Sequence, residues 1–165
     1  MDMTQWMPLL GVVLGASLSF GTAYWMDAAR YNRDQTSYWR KERLAAFGDF
    51  VIATKSYMAV LFRMAAARGL DDQTELLTPP QAEPLLALAF QERDAAFERV
   101  RLVAGADVVR AARDWVRLVY AMRRALSEDS LDRRRWTASM EEANRARDEF
   151  HRLAREELRR GAIPK

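Results

Sequence analysis

No Asp, Glu, Lys or Arg occurs between Asp2 and Asp27, and the intervening run is apolar or small almost throughout. In a helix, with ~1.5 Å of rise per residue, about 20 such residues cross the ~30 Å hydrocarbon core of a bilayer. The pattern predicts a transmembrane anchor over residues 1–26. Trp6 sits at one end of the run, with Tyr24 and Trp25 at the other. Rings with an apolar body and a polar tip settle at such interfaces. Two rival readings remain. A cleaved signal peptide needs a basic n-region, whereas the first six residues carry Asp2 and no Lys or Arg, although Gly21-Thr22-Ala23 has the small residues of a cleavage site. A buried helix of a soluble bundle draws on the small and hydroxyl residues that keep the run only moderately apolar.

Gly11, Gly15, Ser19 and Ala23 recur every fourth residue of the run. Residues four apart share a helix face, so these four predict a ridge of small side chains. Such ridges let two helix backbones approach closely in lipid, where packing drives association. The ridge predicts self-association of the anchor.

The charge pattern changes abruptly after Asp27. Arg30, Arg33, Arg40, Lys41 and Arg43 follow the apolar run, and no basic residue precedes it. The positive-inside bias therefore predicts an N-terminus outside the cell membrane and a C-terminal part in the cytoplasm. Residues 27–43 contain no helix breaker and predict a basic juxtamembrane stalk, possible as a continuation of the anchor helix.

From Leu44 the apolar spacing becomes helical. Leu44, Phe47, Val51, Thr54, Met58, Leu61 and Ala65 alternate three and four apart, and Phe50, Tyr57 and Met64 form a second line beside them. The stripe is wider than a two-stranded coiled-coil seam and suits a globular bundle. Arg68-Gly69 predicts the end of this helix. After a loop through Pro79-Pro80, a second helix is expected from about Gln81 to Ala104, its stripe including Leu86, Arg93, Phe97 and Val100. Gly105 and Asp107 separate it from a third, with Val108, Ala112, Trp115, Val119, Met122 and Leu126 in a clean seam. A fourth, capped by Ser130 or Asp132, carries Trp136, Met140, Ala143, Arg147, Phe150, Ala154 and Leu158. The expected fold is all-α: one membrane helix, then a four-helix up-down bundle over residues 44–161 and a short tail at 162–165. Arg93 and Arg147 fall on apolar stripes, where their heads are expected to snorkel outward.

Composition narrows the chemistry. The chain has no cysteine, which removes disulfides, thiolate metal sites and cysteine nucleophiles. Its one histidine, His151, follows Asp148 in an Asp-x-x-His pattern, but a di-metal bundle site needs a second such motif. No Gly-x-Ser-x-Gly elbow and no glycine-rich phosphate loop occurs. A net charge of +3, with bases and acids alternating along the helices, does not make a phosphate-tracking surface. No catalytic residue, cofactor, metal or nucleic acid is expected. One cluster breaks a local rule: Arg133, Arg134 and Arg135 open the fourth helix, where the helix dipole prefers acids. They are a candidate partner face, unless Glu128, Asp129 and Asp132 neutralise them.

The run Phe97-Glu-Arg-Val-Arg-Leu-Val-Ala-Gly-Ala-Asp-Val-Val-Arg-Ala-Ala-Arg-Asp-Trp-Val116 resembles a helix-turn-helix stretch of small membrane-anchored helical proteins of high-GC bacteria. These combine a hydrophobic anchor, a basic stalk and a helical hairpin. The resemblance implies that architecture and no activity.

The function expected from sequence is a non-enzymatic, single-pass membrane scaffold or adaptor, with the bilayer, a second copy and an unidentified protein as partners. Two other classes stay open. One is a pore-forming or toxin-like membrane effector. The other is an enzyme or ligand-binding bundle, with an anion pocket around Arg93 and Arg147.

Overall fold

The computed structural model describes residues 38–72 and 75–160. The expected anchor with its ridge Gly11, Gly15, Ser19 and Ala23, the interfacial Trp6, Tyr24 and Trp25, the basic Arg30 and Arg33, and the tail all lie outside the described residues. The described residues form four helices and no strand: α1 Tyr38–Ala67, α2 Pro79–Val103, α3 Ala106–Ala125 and α4 Arg133–Arg160.

Local chemistry sets the helix ends. Gly69 adopts φ 70°, a left-handed conformation that costs an L side chain steric strain. There it closes α1: the Gly69 N–H donates to Ala66 O at 2.9 Å, and the Leu70 N–H to Ala65 O at 2.9 Å. This paired pattern satisfies carbonyls that the helix itself leaves open. Pro79 and Pro80 begin α2, where their missing N–H groups cost nothing. Gln81 reaches back to accept the Thr78 backbone N–H at 3.0 Å. Asp132 caps α4 by accepting the Arg135 N–H at 2.7 Å. Arg68 ties the end of α1 to the end of α3, donating to Leu126 O at 2.6 Å and Glu128 O at 2.8 Å.

The core converges on Phe50. Its ring is fully buried and lies 5.9 Å from Phe97 of α2, 5.6 Å from Trp115 of α3 and 5.1 Å from Phe150 of α4. Each aromatic pair adds about 0.5–1.5 kcal/mol beyond its buried area, so one side chain couples all four helices. α3 packs extensively on α4 and much less on α2. The α3 seam is buried at all six expected positions.

α1 is also the one described helix long and apolar enough to cross a membrane by length and composition. Half of its most apolar window is buried inside the bundle, so that apolarity serves the core.

Three expectations are corrected. Leu44, expected in the core seam of α1, is 61% exposed, whereas Phe50 and Tyr57 of the second line are buried. Arg43, grouped by sequence with the juxtamembrane cations, is buried: its Nε donates to Val103 O at 2.8 Å and lies 3.5 Å from Glu157 Oε1. Arg93 does not snorkel. It is 1% exposed, and its guanidinium stacks 5.4 Å from Tyr57, 4.9 Å from Phe90 and 4.3 Å from Tyr120. The attraction between a cation and ring faces holds it inside, where the water that snorkelling requires is absent.

Candidate protein-docking groove

α1 and α4 pack together through Phe47 and Phe150, an edge-to-face pair at 5.9 Å. Beside this pair an apolar groove of about 330 Å³ opens between the two helices. Leu44, Phe47, Gly48, Val51 and Ile52 form one wall; Phe150, His151, Ala154, Arg155 and Leu158 form the other. The spacing explains the walls. Leu44, Gly48 and Ile52 are four apart on α1, as are Phe150, Ala154 and Leu158 on α4, so each set makes a single stripe. Phe47 and Phe150 belong to the core, while Leu44 and Ile52 stand 61% and 66% exposed. Gly48 deepens the groove: a Cβ built there meets nothing within 4 Å.

The rim is positively charged. Lys55 follows Val51 by one turn and acts electrostatically on His151, as do Arg155 and Arg147. The four carboxylates of α4 nearest the groove, Asp148, Glu149, Glu156 and Glu157, are engaged. Arg152 takes Glu149 at 2.6 Å and Glu156 at 2.6 Å, Arg147 takes Asp148 at 3.0 Å, and Glu157 accepts the Gly105 N–H at 3.0 Å. Lys55 and Arg155 form no ion pair among the described residues. His151 reports the resulting field. Partial burial, then Arg155 and Arg147, depress its pKa below the ordinary imidazole value, Asp148 opposes them, and Lys55 adds a smaller depression.

The other candidate residues fall elsewhere. Arg133 pairs with Asp72 at 2.9 Å and donates to Gly69 O at 2.9 Å; Arg135 pairs with Glu128 at 3.2 Å. These two arginines therefore staple the connections beside α1 and α4, and Arg134 is left exposed. Arg40 and Lys41 are exposed on the first described turn of α1. The structure does not bring Arg93 and Arg147 together. Arg93 lies among side chains of α1, α2 and α3, donating from Nη2 to the Tyr120 hydroxyl, while Arg147 pairs at the surface of α4. Among the described residues, no group of three or more His, Asp or Glu side chains is placed to hold a metal ion.

The groove does not show in the sequence because the α1 stripe puts Leu44 in the core and gives Ile52 no place. The available signal was the breadth of the apolar face of α1, which exceeds what one bundle core covers. No protein-family model, curated protein or solved structure matches the chain.

Proposed function

We propose that this chain is a membrane-anchored docking protein that works by binding rather than by catalysis. The observation that carries this reading is the apolar groove between α1 and α4, with Leu44 and Ile52 exposed at its edge. Apolar side chains that line a shared groove favour an interaction surface, unlike apolar side chains exposed singly. The charge-free run between Asp2 and Asp27 supplies the anchor, and the basic residues after it set the bundle on the cytoplasmic side of the cell membrane. The ridge Gly11, Gly15, Ser19 and Ala23 pairs anchors in the bilayer and presents grooves in multiple copies.

Two measurements on full-length protein in its native membranes test the reading. Alkaline-carbonate extraction is expected to leave intact protein in the membrane pellet; full-length release overturns the anchor. A photo-crosslinking amino acid at position 52 is expected to give a protein adduct that the same group at the exposed Glu142 on α4 does not give. Absence of a protein adduct specific to position 52 overturns docking.

A further inference from the structure

The docking reading leaves the kind of partner open, and the groove narrows it. We infer that the α1–α4 groove receives an acidic amphipathic helix of a protein partner. Its apolar stripe would lie along Leu44, Ile52 and Leu158, and its carboxylates would pair with Lys55 and Arg155. This inference rests on the docking reading and adds the chemistry of the partner.

Shape is the first argument. The groove is walled by two helices, and a third helix fills such a trough ridge-into-groove at an axial separation of about 8–10 Å. From Leu44 to Ile52 the trough runs roughly 12 Å at 1.5 Å per residue, which matches about two turns of a partner helix, with Lys55 one turn from Val51 beyond its end. A stripe with anchors at i, i+4 and i+7 or i+8 presents its side chains along that length, as in other helix-in-groove recognition. Gly48 lets the partner backbone approach closely midway along, because no side chain occupies that position.

Charge is the second argument, and it selects among occupants. The nearby acids of α4 are taken by Arg147 and Arg152 and by the Gly105 N–H, which leaves Lys55 and Arg155 with positive charge directed at whatever enters. A second copy seated on the same face brings its own Lys55 and Arg155, and beside them only carboxylates that already have partners. Like charges across an interface select against such a pairing. A lipid surface offers negative charge but is flat on this scale, and the lowest part of the groove, over Phe47 and Phe150, would stay empty against it. A helix with carboxylates flanking an apolar stripe satisfies both the trough and its rim.

The test uses full-length protein in nanodiscs of zwitterionic lipid. The probe is a fluorescent designed helical peptide of about 18 residues, roughly five turns, with Leu along one stripe and Glu beside it; a matched peptide carries Lys for Glu. The Glu peptide is expected to bind and the Lys peptide is not. Lys55→Glu with Arg155→Glu is expected to weaken the Glu peptide at least about tenfold and to confer binding on the Lys peptide. Gly48→Leu, which fills the trough from an open position, is expected to block binding while leaving the helical circular-dichroism signal intact. Equal binding of both peptides, or binding of neither, overturns the inference. So does a disulfide-linked dimer through Ile52→Cys, the only cysteine then present, that the Glu peptide does not prevent. Binding to anionic vesicles that the groove variants abolish, without peptide binding, assigns the groove to lipid and also overturns it. If the peptides fail while position 52 still crosslinks specifically to another protein, docking stands and only the acidic-helix assignment falls.

Discussion

Arg43, near the start of α1, and Glu157, near the end of α4, lie 3.5 Å apart, and the Arg43 side chain is 4% exposed. The same carboxylate accepts the Gly105 N–H at 3.1 and 3.0 Å, at the residue preceding α3. Arg43 in turn donates to Val103 O at the end of α2. One acid and one base thus join the ends of all four helices. Removing the acid leaves a buried cation with a single carbonyl partner and an uncapped N–H. Glu157→Ala is expected to lower unfolding stability by about 2 kcal/mol, the range for hydrogen bonds to a charged group. Glu157→Gln, which keeps an acceptor, is expected to lose about half as much. Urea unfolding followed by circular dichroism checks both, and an alanine variant as stable as the parent refutes the linkage.

Arg93 poses the opposite case, a buried cation with no carboxylate. Its Nε and Nη1 lack a hydrogen-bond partner among the described residues. Three ring faces and the Tyr120 hydroxyl oppose a desolvation cost of several kcal/mol for the guanidinium. Buried ions replaced by apolar residues of similar volume often leave stability unchanged or improve it. Arg93→Met is therefore expected to melt at or above the parent temperature. Arg93→Ala, which leaves a cavity, is expected to lose about 2–5 kcal/mol, as buried long side chains do on truncation to alanine. A methionine variant that melts well below the parent would show the aromatic cage to outweigh desolvation.

These two arginines mark where sequence stopped being informative. The α3 seam from Val108 to Leu126 was legible because apolar and charged positions alternate cleanly around that helix, leaving one face to bury. α1 is apolar on most sides, so periodicity alone did not decide between the line through Leu44 and the line through Phe50. The choice depends on Phe97, Trp115 and Phe150, which arrive from three other helices. Arg43 read as a juxtamembrane cation because its acceptor Val103 lies 60 residues away. The groove was illegible for a related reason: it is the part of α1 that α4 fails to cover, a property of packing rather than of either helix. The helix ends at Gly69 and Asp132 were more readable, since both act through backbone chemistry local to each turn, whereas Pro79-Pro80, read as loop, open α2.

Gly48 and Gly69 separate conformation from packing. Gly69 requires positive φ, so Gly69→Ala is expected to cost about 1–2 kcal/mol. Gly48 lies within α1 in open space, so Gly48→Ala is expected to stabilise by roughly 0.5–1 kcal/mol through helix propensity. Thermal unfolding of the two variants should therefore shift in opposite directions. A loss of stability in Gly48→Ala would mean that the groove floor is less open than the geometry gives it.

His151 makes the groove sensitive to pH. Partial burial, Arg155 and Arg147, and to a smaller degree Lys55 from α1, hold its pKa below the ordinary 6.5, against the opposing charge of Asp148. The unfolded chain then takes up the proton more readily than the folded one, so folded stability falls as pH drops through and below about 6.5. His151→Gln is expected to flatten that decline, measured as unfolding free energy at about pH 7.5 and 5.5. A bound acidic helix reverses the local field. Its carboxylates stay ionised at pH 5.5, because glutamate titrates near about 4.3, and they favour the imidazolium that Lys55 and Arg155 oppose. The Glu peptide is therefore expected to bind more tightly at pH 5.5 than at 7.5 in the parent and with little pH dependence in His151→Gln. Binding that weakens in the parent on acidification would place the peptide away from His151.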